Sequence, residues 1–372
     1  MSYYLHLTET GLTRSQDPAI ADRFDVPFFG NTNPAQSWGL CESLLSRSQA
    51  CRHHDPEQMV LLAERAVSVA EELDPMVYGQ EQVADMRART LAELGNAYRV
   101  SDDLQAAERT LRRAIEWSAR GTQDPLLLVR IMDLTASLCG YQRRFAEALV
   151  LLKAVHTLYE RHGDRHNAGR ALISMGLYTG YSNEPERAID LLRTGLTMIQ
   201  PARDPKLVIS AVHNLAGFMA DCGRFEEAQR LLRRSRRAYF AEGDRLNLLK
   251  LRWLEARVAA GVGRLAQAEK NFLRVRKDLE ESGLHYHAAL VSLDLAAVWL
   301  RQDKKAEAGR LVEELVVAFQ ARRIAREALA ALLLLRTSFA EDRASVDLLQ
   351  SVRVYLKSLE GRPSLKLKMR TF

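Results

Sequence analysis

The stretch VADMRARTLAELGNAYRV (83–100), SDD (101–103), LQAAERTLRRAIEWSAR (104–120) decides the fold. Leu91, Leu94, Gly95 and Tyr98 recur at i, i+3, i+4 and i+7, and Ala107, Leu111 and Ala114 keep the same period. Each segment therefore presents one apolar stripe of an α-helix. The polar SDD breaks the stripe and offers Ser101 or Asp102 as N-cap of the second helix, which Gly121 ends. Gly95 and Ala107 are small where the stripes face each other, so the two backbones can approach closely.

The second helix of this unit recurs along the chain. LQAAERTL, FAEALVLL, PERAIDLL, FEEAQRLL, LAQAEKNF and KAEAGRLV place Ala107, Ala148, Ala188, Ala228, Ala268 and Ala308 in register, at steps of 41, 40, 40, 40 and 40 residues. A period this regular means stacked copies of one small unit. Pro56, Pro75, Pro125, Pro185 and Pro205 stand where helices are expected to begin, and no alternating β-branched run reads as a strand.

L-G-x-x-Y, then Ala twelve residues after the Gly, then apolar and Ala at +16 and +19, resembles the tetratricopeptide repeat. The resemblance covers roughly residues 37–360. Later units drift: Gly176 keeps the glycine, Ala136, Ala216, Ala256 and Ala296 replace it, and the tyrosine position reads Cys139, Thr179, Met219, Ala259 and Trp299. The period exceeds the usual 34, as in the long-repeat subgroup of kinesin light chains, Pins-like scaffolds and bacterial peptide-sensing regulators. The resemblance implies an all-α, right-handed superhelical solenoid of about eight helix–turn–helix units. The first (about 37–74) and last (about 325–360) are degenerate, with second helices at 55–67 and 344–359. Residues 1–36 read as an irregular arm with at most a short helix near Ala19–Phe24, and 361–372 as a basic tail.

The resemblance also implies that the first helix of each unit lines a concave groove that holds a partner peptide. The second repeat position reads Arg89, Arg130, Arg170, Ser210 and Lys250; the fifth and sixth add Asp133, Ser174, His213, Asn214, Trp253 and Asp294. Later positions add Asn96, Arg99, Ser137, Tyr141, Tyr181 and Arg257. Arginine forks grip carboxylates, asparagine amides bond a peptide backbone, and aromatic rings clamp apolar side chains. Two readings stand side by side: a groove for an acidic or carboxylate-ended peptide, or arginines that pair with acidic neighbours.

Other functions find less support. LLRRSRRAYF (231–240) reads as a solvated basic face partly neutralised by Glu226, Glu227 and Glu242, with no nucleic-acid recognition motif beside it. CRHHD (51–55) and HYH (285–287) lack metal-site spacing. There is no phosphate loop, nucleophile elbow or thiol-protease context. Cys41, Cys51, Cys139 and Cys222 are scattered, and no apolar run reaches the roughly 20 residues of a membrane span. The expectation is a cytosolic, non-catalytic adaptor or scaffold without cofactor or membrane insertion. A peptide-sensing regulator acting through a separate chain, or a subunit of a larger bacterial assembly such as a defence complex, remain open beside it.

Overall fold

The computed structural model describes residues 34–52, 54–242, 245–321 and 326–359. The expectations for 1–33 and 360–372 lie outside these residues. The described chain carries helices and no strand. It divides into two compact units, one ending at Ile199 and one beginning at Gln200.

The N-terminal unit contains α1 (Pro34–Cys51), α2 (Pro56–Glu71), a single turn α3 (Pro75–Tyr78), α4 (Gln80–Val100), α5 (Leu104–Ser118), α6 (Pro125–Tyr141), α7 (Phe145–Arg161), α8 (Arg165–Tyr181) and α9 (Pro185–Met198). Apart from α3, they pack as consecutive pairs, α1 on α2, α4 on α5, α6 on α7 and α8 on α9. The C-terminal unit contains α10 (Pro205–Asp221), α11 (Phe225–Glu242), α12 (Arg245–Gly261), α13 (Leu265–Glu281), α14 (His285–Arg301), α15 (Lys305–Ala321), α16 (Arg326–Ala340) and α17 (Val346–Leu359), again packed as consecutive pairs. The first helix begins at Pro34, three residues before the expected onset at Ser37.

Local chemistry sets the helix ends. Six helices start with proline, five of them at the expected positions and α1 at Pro34, where the missing N–H costs nothing. The turn between α4 and α5 differs from the sequence expectation. Ser101 closes α4, Asp102 adopts a left-handed φ of 66°, and Asp103, not Ser101 or Asp102, caps α5 by accepting from Ala106 N at 2.9 Å. The N–H of Asp103 also reaches back to Tyr98 O at 2.9 Å. This is a Schellman closure, in which one left-handed residue lets two N–H groups satisfy orphan carbonyls. It recurs at Arg143, Asn183, Gly223, Gly263 and Asp303, all with positive φ. The helix expected to run to Gly121 stops at Ser118; Gly121 lies so close to Asp85 that a Cβ would meet its Oδ1 at 1.8 Å.

The seam between paired helices is where the sequence places it. Ala107, Ala148, Ala188, Ala228, Ala268 and Ala308 are all fully buried. A Cβ on Gly95 would stand 2.7 Å from Leu111 Cγ, and one on Gly176 would stand 2.8 Å from Leu192 Cγ and 3.1 Å from Ala188 O. Small residues are therefore required for these crossings, and the apolar stripes close over them.

The end of the C-terminal unit is not a simple continuation. Helix α15 packs on α14, α16 on α15 and α17 on α16, but α17 also returns to pack on α14. Leu349, Val352 and Leu356 of α17 join one core with Leu293, Leu311, Leu332 and Leu335. The Tyr286 hydroxyl on α14 donates to Leu356 O at 2.6 Å, satisfying a carbonyl in the last turn of α17. The last four helices thus close on one another.

Candidate functional site

The expected peptide-facing positions lie on α4, α6 and α8 of the N-terminal unit and on α10, α12 and α14 of the C-terminal unit.

In the N-terminal unit the arginines arrive with partners. Arg89 is exposed and ion-paired with Glu42 on α1. Arg130 donates to Glu93 Oε1 from Nε and Nη2, each at 2.9 Å, and lies 3.6 Å from Asp133. Burial opposes the charge on Arg130, yet the Glu93 and Asp133 carboxylates outweigh it and raise its pKa. Glu93 is 4% exposed, and its second oxygen has no hydrogen-bond partner among the described residues. Sequence reasoning missed this residue. It occupies α4 one repeat before Arg130, and a buried carboxylate beside the arginine row is the signal that could have found it.

Asn96, Arg99 and Tyr141 form a second cluster. Arg99 is buried, donates to Asn96 Oδ1 at 2.7 Å and 3.2 Å, and lies over the Tyr141 ring at 4.6 Å from its centre. The asparagine expected to bond a peptide backbone thus orients an arginine, and the tyrosine is stacked beneath it. Further along, Arg170, Ser174 and Tyr181 on α8 are half-buried. The Tyr181 ring lies 6.0 Å from Phe145.

The C-terminal unit gathers its candidates more tightly. Trp253 Nε1 donates to Asp294 Oδ2 at 2.7 Å; Arg257 Nη2 lies 2.7 Å from Asp221 and Nε 4.0 Å from Asp294. Arg353 on α17 completes the group, with Nε 2.7 Å from Asp294 Oδ1. Asp221 and Arg353 were not among the expected residues. Lys250 is buried, and Asn214 donates to Ser210 O at 2.8 Å. His213 sits edge-on to Tyr239 with ring centres 6.4 Å apart. Its pKa is pulled down to about 3, first by burial and then by the charges of Lys250, Lys357 and Arg257. His213 is therefore a neutral ring at ordinary pH.

Among the described residues no three His, Cys, Asp or Glu side chains gather as a metal-binding group, and no helix is long and apolar enough to cross a membrane. The CRHHD turn joins α1 to α2, where Asp55 caps α2 by accepting from Gln58 N at 2.9 Å; His53 lies outside the described residues. His287 of HYH is buried in α14 against Trp253.

No protein-family model and no curated protein matches the sequence. Solved structures do match the fold. The apo form of the quorum sensor NprR from B. thuringiensis superposes with a TM-score of 0.60 at 16% identity, over 81% of this chain and 83% of that one. NprR in complex with its cognate peptide NprX gives 0.57 at 17%, over 87% and 89%. A Rap protein complexed with competence and sporulation factor gives 0.57 at 12%, also over 87% and 89%. Paired helices in register, small residues at six of the crossings and these matches give one conclusion: the chain has a tetratricopeptide-like helical-repeat fold, similar to that of peptide-sensing regulators.

Proposed function

We propose that the protein is a non-catalytic adaptor or regulator that captures a linear peptide on the α4–α6–α8 face of its N-terminal unit, with an acidic or carboxylate-bearing segment set against Arg130 and Arg170. The observation that carries this reading is the row itself. Arg130 and Arg170 hold the same position on successive first helices, with Ser174 and Tyr181 half-buried along α8. The fold shared with NprR, which binds its cognate peptide NprX, supports the same reading.

The polar clusters favour recognition over simple attraction. Glu93 and Asp133 fix Arg130 and offset its charge, so an acidic ligand must compete with them. Such pre-organisation lowers the ordering cost on the protein side and leaves selectivity to geometry.

The test is selection from a random peptide library, read against Arg170→Glu and the double variant Arg130→Glu/Arg170→Glu. Enrichment of acidic peptides that is lost in both variants is the expected result. No enriched sequence, or the same sequences enriched by the double variant with its melting curve intact, overturns the reading. The single variant guards against misfolding, because Arg130→Glu leaves Glu93 and Asp133 without their cation.

A further inference from the structure

In the C-terminal unit, α11, α12 and α13 line an open cleft of about 760 Å³. Small-molecule sites span roughly 300–1,000 Å³. Six cations line it: Arg233 and Arg236 on α11, Arg252 on α12, Arg264 just before α13, and Arg274 and Lys277 on α13. By sequence alone, α11 reads as a solvated basic face. The fold adds cations from two further elements and turns that face into one wall of a cleft.

The carboxylates in the cleft do not neutralise it. Asp278 is taken by Arg252 at 3.6 Å and Glu281 by Lys277 at 3.8 Å. Arg233, Arg236, Arg264 and Arg274 have no carboxylate within ion-pair distance among the described residues. Arg233 and Arg264 instead both donate to Gln229 Oε1, each at 3.3 Å, so one neutral amide ties the two walls together. Glu255 also lines the cleft, and burial pushes its carboxyl pKa up against the pull of Arg236 and Arg252. Six cations thus line the cleft against three carboxylates, two of which are already ion-paired.

We propose that this cleft binds a compact oligophosphate, a chain of linked phosphates such as inorganic polyphosphate or the triphosphate of a nucleotide. Charge density selects this chemistry. Linked phosphates share bridging oxygens and present many acceptors to several arginine forks at once. An extended acidic peptide places same-side carboxylates about 6–7 Å apart, a lower charge density than linked phosphates offer. No aromatic ring lines the cleft. Single-stranded nucleic acid, which gains affinity by base stacking, finds no platform there.

The test is calorimetric titration of the full chain, at low ionic strength, with sodium tripolyphosphate, adenosine triphosphate, orthophosphate and hexaglutamate. Both triphosphates are expected to bind at least about tenfold more tightly than orthophosphate or hexaglutamate. A nucleotide tighter than tripolyphosphate identifies a nucleotide as the source; equal or weaker binding identifies the phosphate chain alone. Arg236→Gln/Arg274→Gln should lower tripolyphosphate affinity about tenfold or more with an unchanged melting curve; Arg264→Gln, a separate variant, should weaken it too. The inference is overturned if tripolyphosphate does not bind, if hexaglutamate binds as tightly, or if the folded variants bind like the parent chain.

Discussion

Arg353 on α17 holds Asp294 on α14 at 2.7 Å, and both side chains are nearly buried. Asp294 also accepts from Trp253 and lies 4.0 Å from Arg257. A carboxylate in such surroundings is tolerable only while its cations remain, because removing one partner of a buried pair leaves an uncompensated charge. Arg353→Met should therefore destabilise the C-terminal unit by about 3 kcal/mol. Arg353→Met combined with Asp294→Asn should cost clearly less than the sum of the two single changes. Urea unfolding of the four chains measures this coupling. A coupling below about 0.5 kcal/mol would show that this ion pair adds nothing to the hold on α17.

Helices α8 and α9 cross where Gly169 faces Gly195. A Cβ on Gly195 would stand 2.8 Å from Ile173 Cγ1 and 2.9 Å from the backbone oxygen of Gly169. Helix propensity favours alanine over glycine by about 1 kcal/mol. The backbone oxygen cannot turn aside as a flexible side chain could, and overpacking costs about 1–3 kcal/mol. Gly195→Ala should therefore lower the melting temperature despite its better propensity, and Gly195→Val should lower it further. A melting temperature at or above the parent's for Gly195→Ala would mean that the two helices can separate at little cost.

The packing seam was legible in the sequence because it repeats. Ala107 and its five equivalents are small for one reason, and the reason returns every 40 or 41 residues. Proline at the first turn was legible because it acts locally. The turn between α4 and α5 was misread because Asp102 and Asp103 are chemically identical. Only the backbone tells which one adopts φ 66° and which one caps α5. The candidate site was half legible. Counting along the repeat located Arg130, Arg257 and Trp253, but it treats each position as open. Their partners Glu93, Asp221 and Asp294 lie on neighbouring first helices. Arg353 comes from a helix whose return to α14 no periodicity encodes.

The left-handed turn residue gives a test free of packing. Gly263 has φ +83°, and nothing lies within 4 Å of a Cβ built there. Gly263→Ala changes only the backbone preference, so it should cost about 1–2 kcal/mol. Gly217, inside α10 and equally open, is the contrasting site, with ordinary helical geometry. Gly217→Ala should gain about 1 kcal/mol. Chemical denaturation of the two variants should give shifts of opposite sign. Shifts of the same sign would remove the left-handed turn as a determinant of the repeat.

His213 gives the acid limb of stability a specific source. Its pKa falls from 6.5 to about 3 in the folded chain, so the folded ring stays neutral while the unfolded one takes up a proton below 6.5. Stability is therefore lost as pH falls from about 6.5 towards 3, at up to about 1.4 kcal/mol per pH unit. Asp221 adds to the same limb at lower pH. Burial pushes its carboxyl pKa up, but Arg257, Lys357 and Arg353 outweigh burial and hold it below the ordinary carboxylate range. A group depressed in this way contributes stability that disappears as it protonates. His213→Gln removes the histidine contribution and leaves that of Asp221. Between pH 7 and pH 5 the parent chain should lose about 2 kcal/mol more than the variant. Urea midpoints of both proteins at the two pH values measure the difference. Parallel losses would mean that His213 accepts its proton in the folded state, with water reaching the ring beside Tyr239.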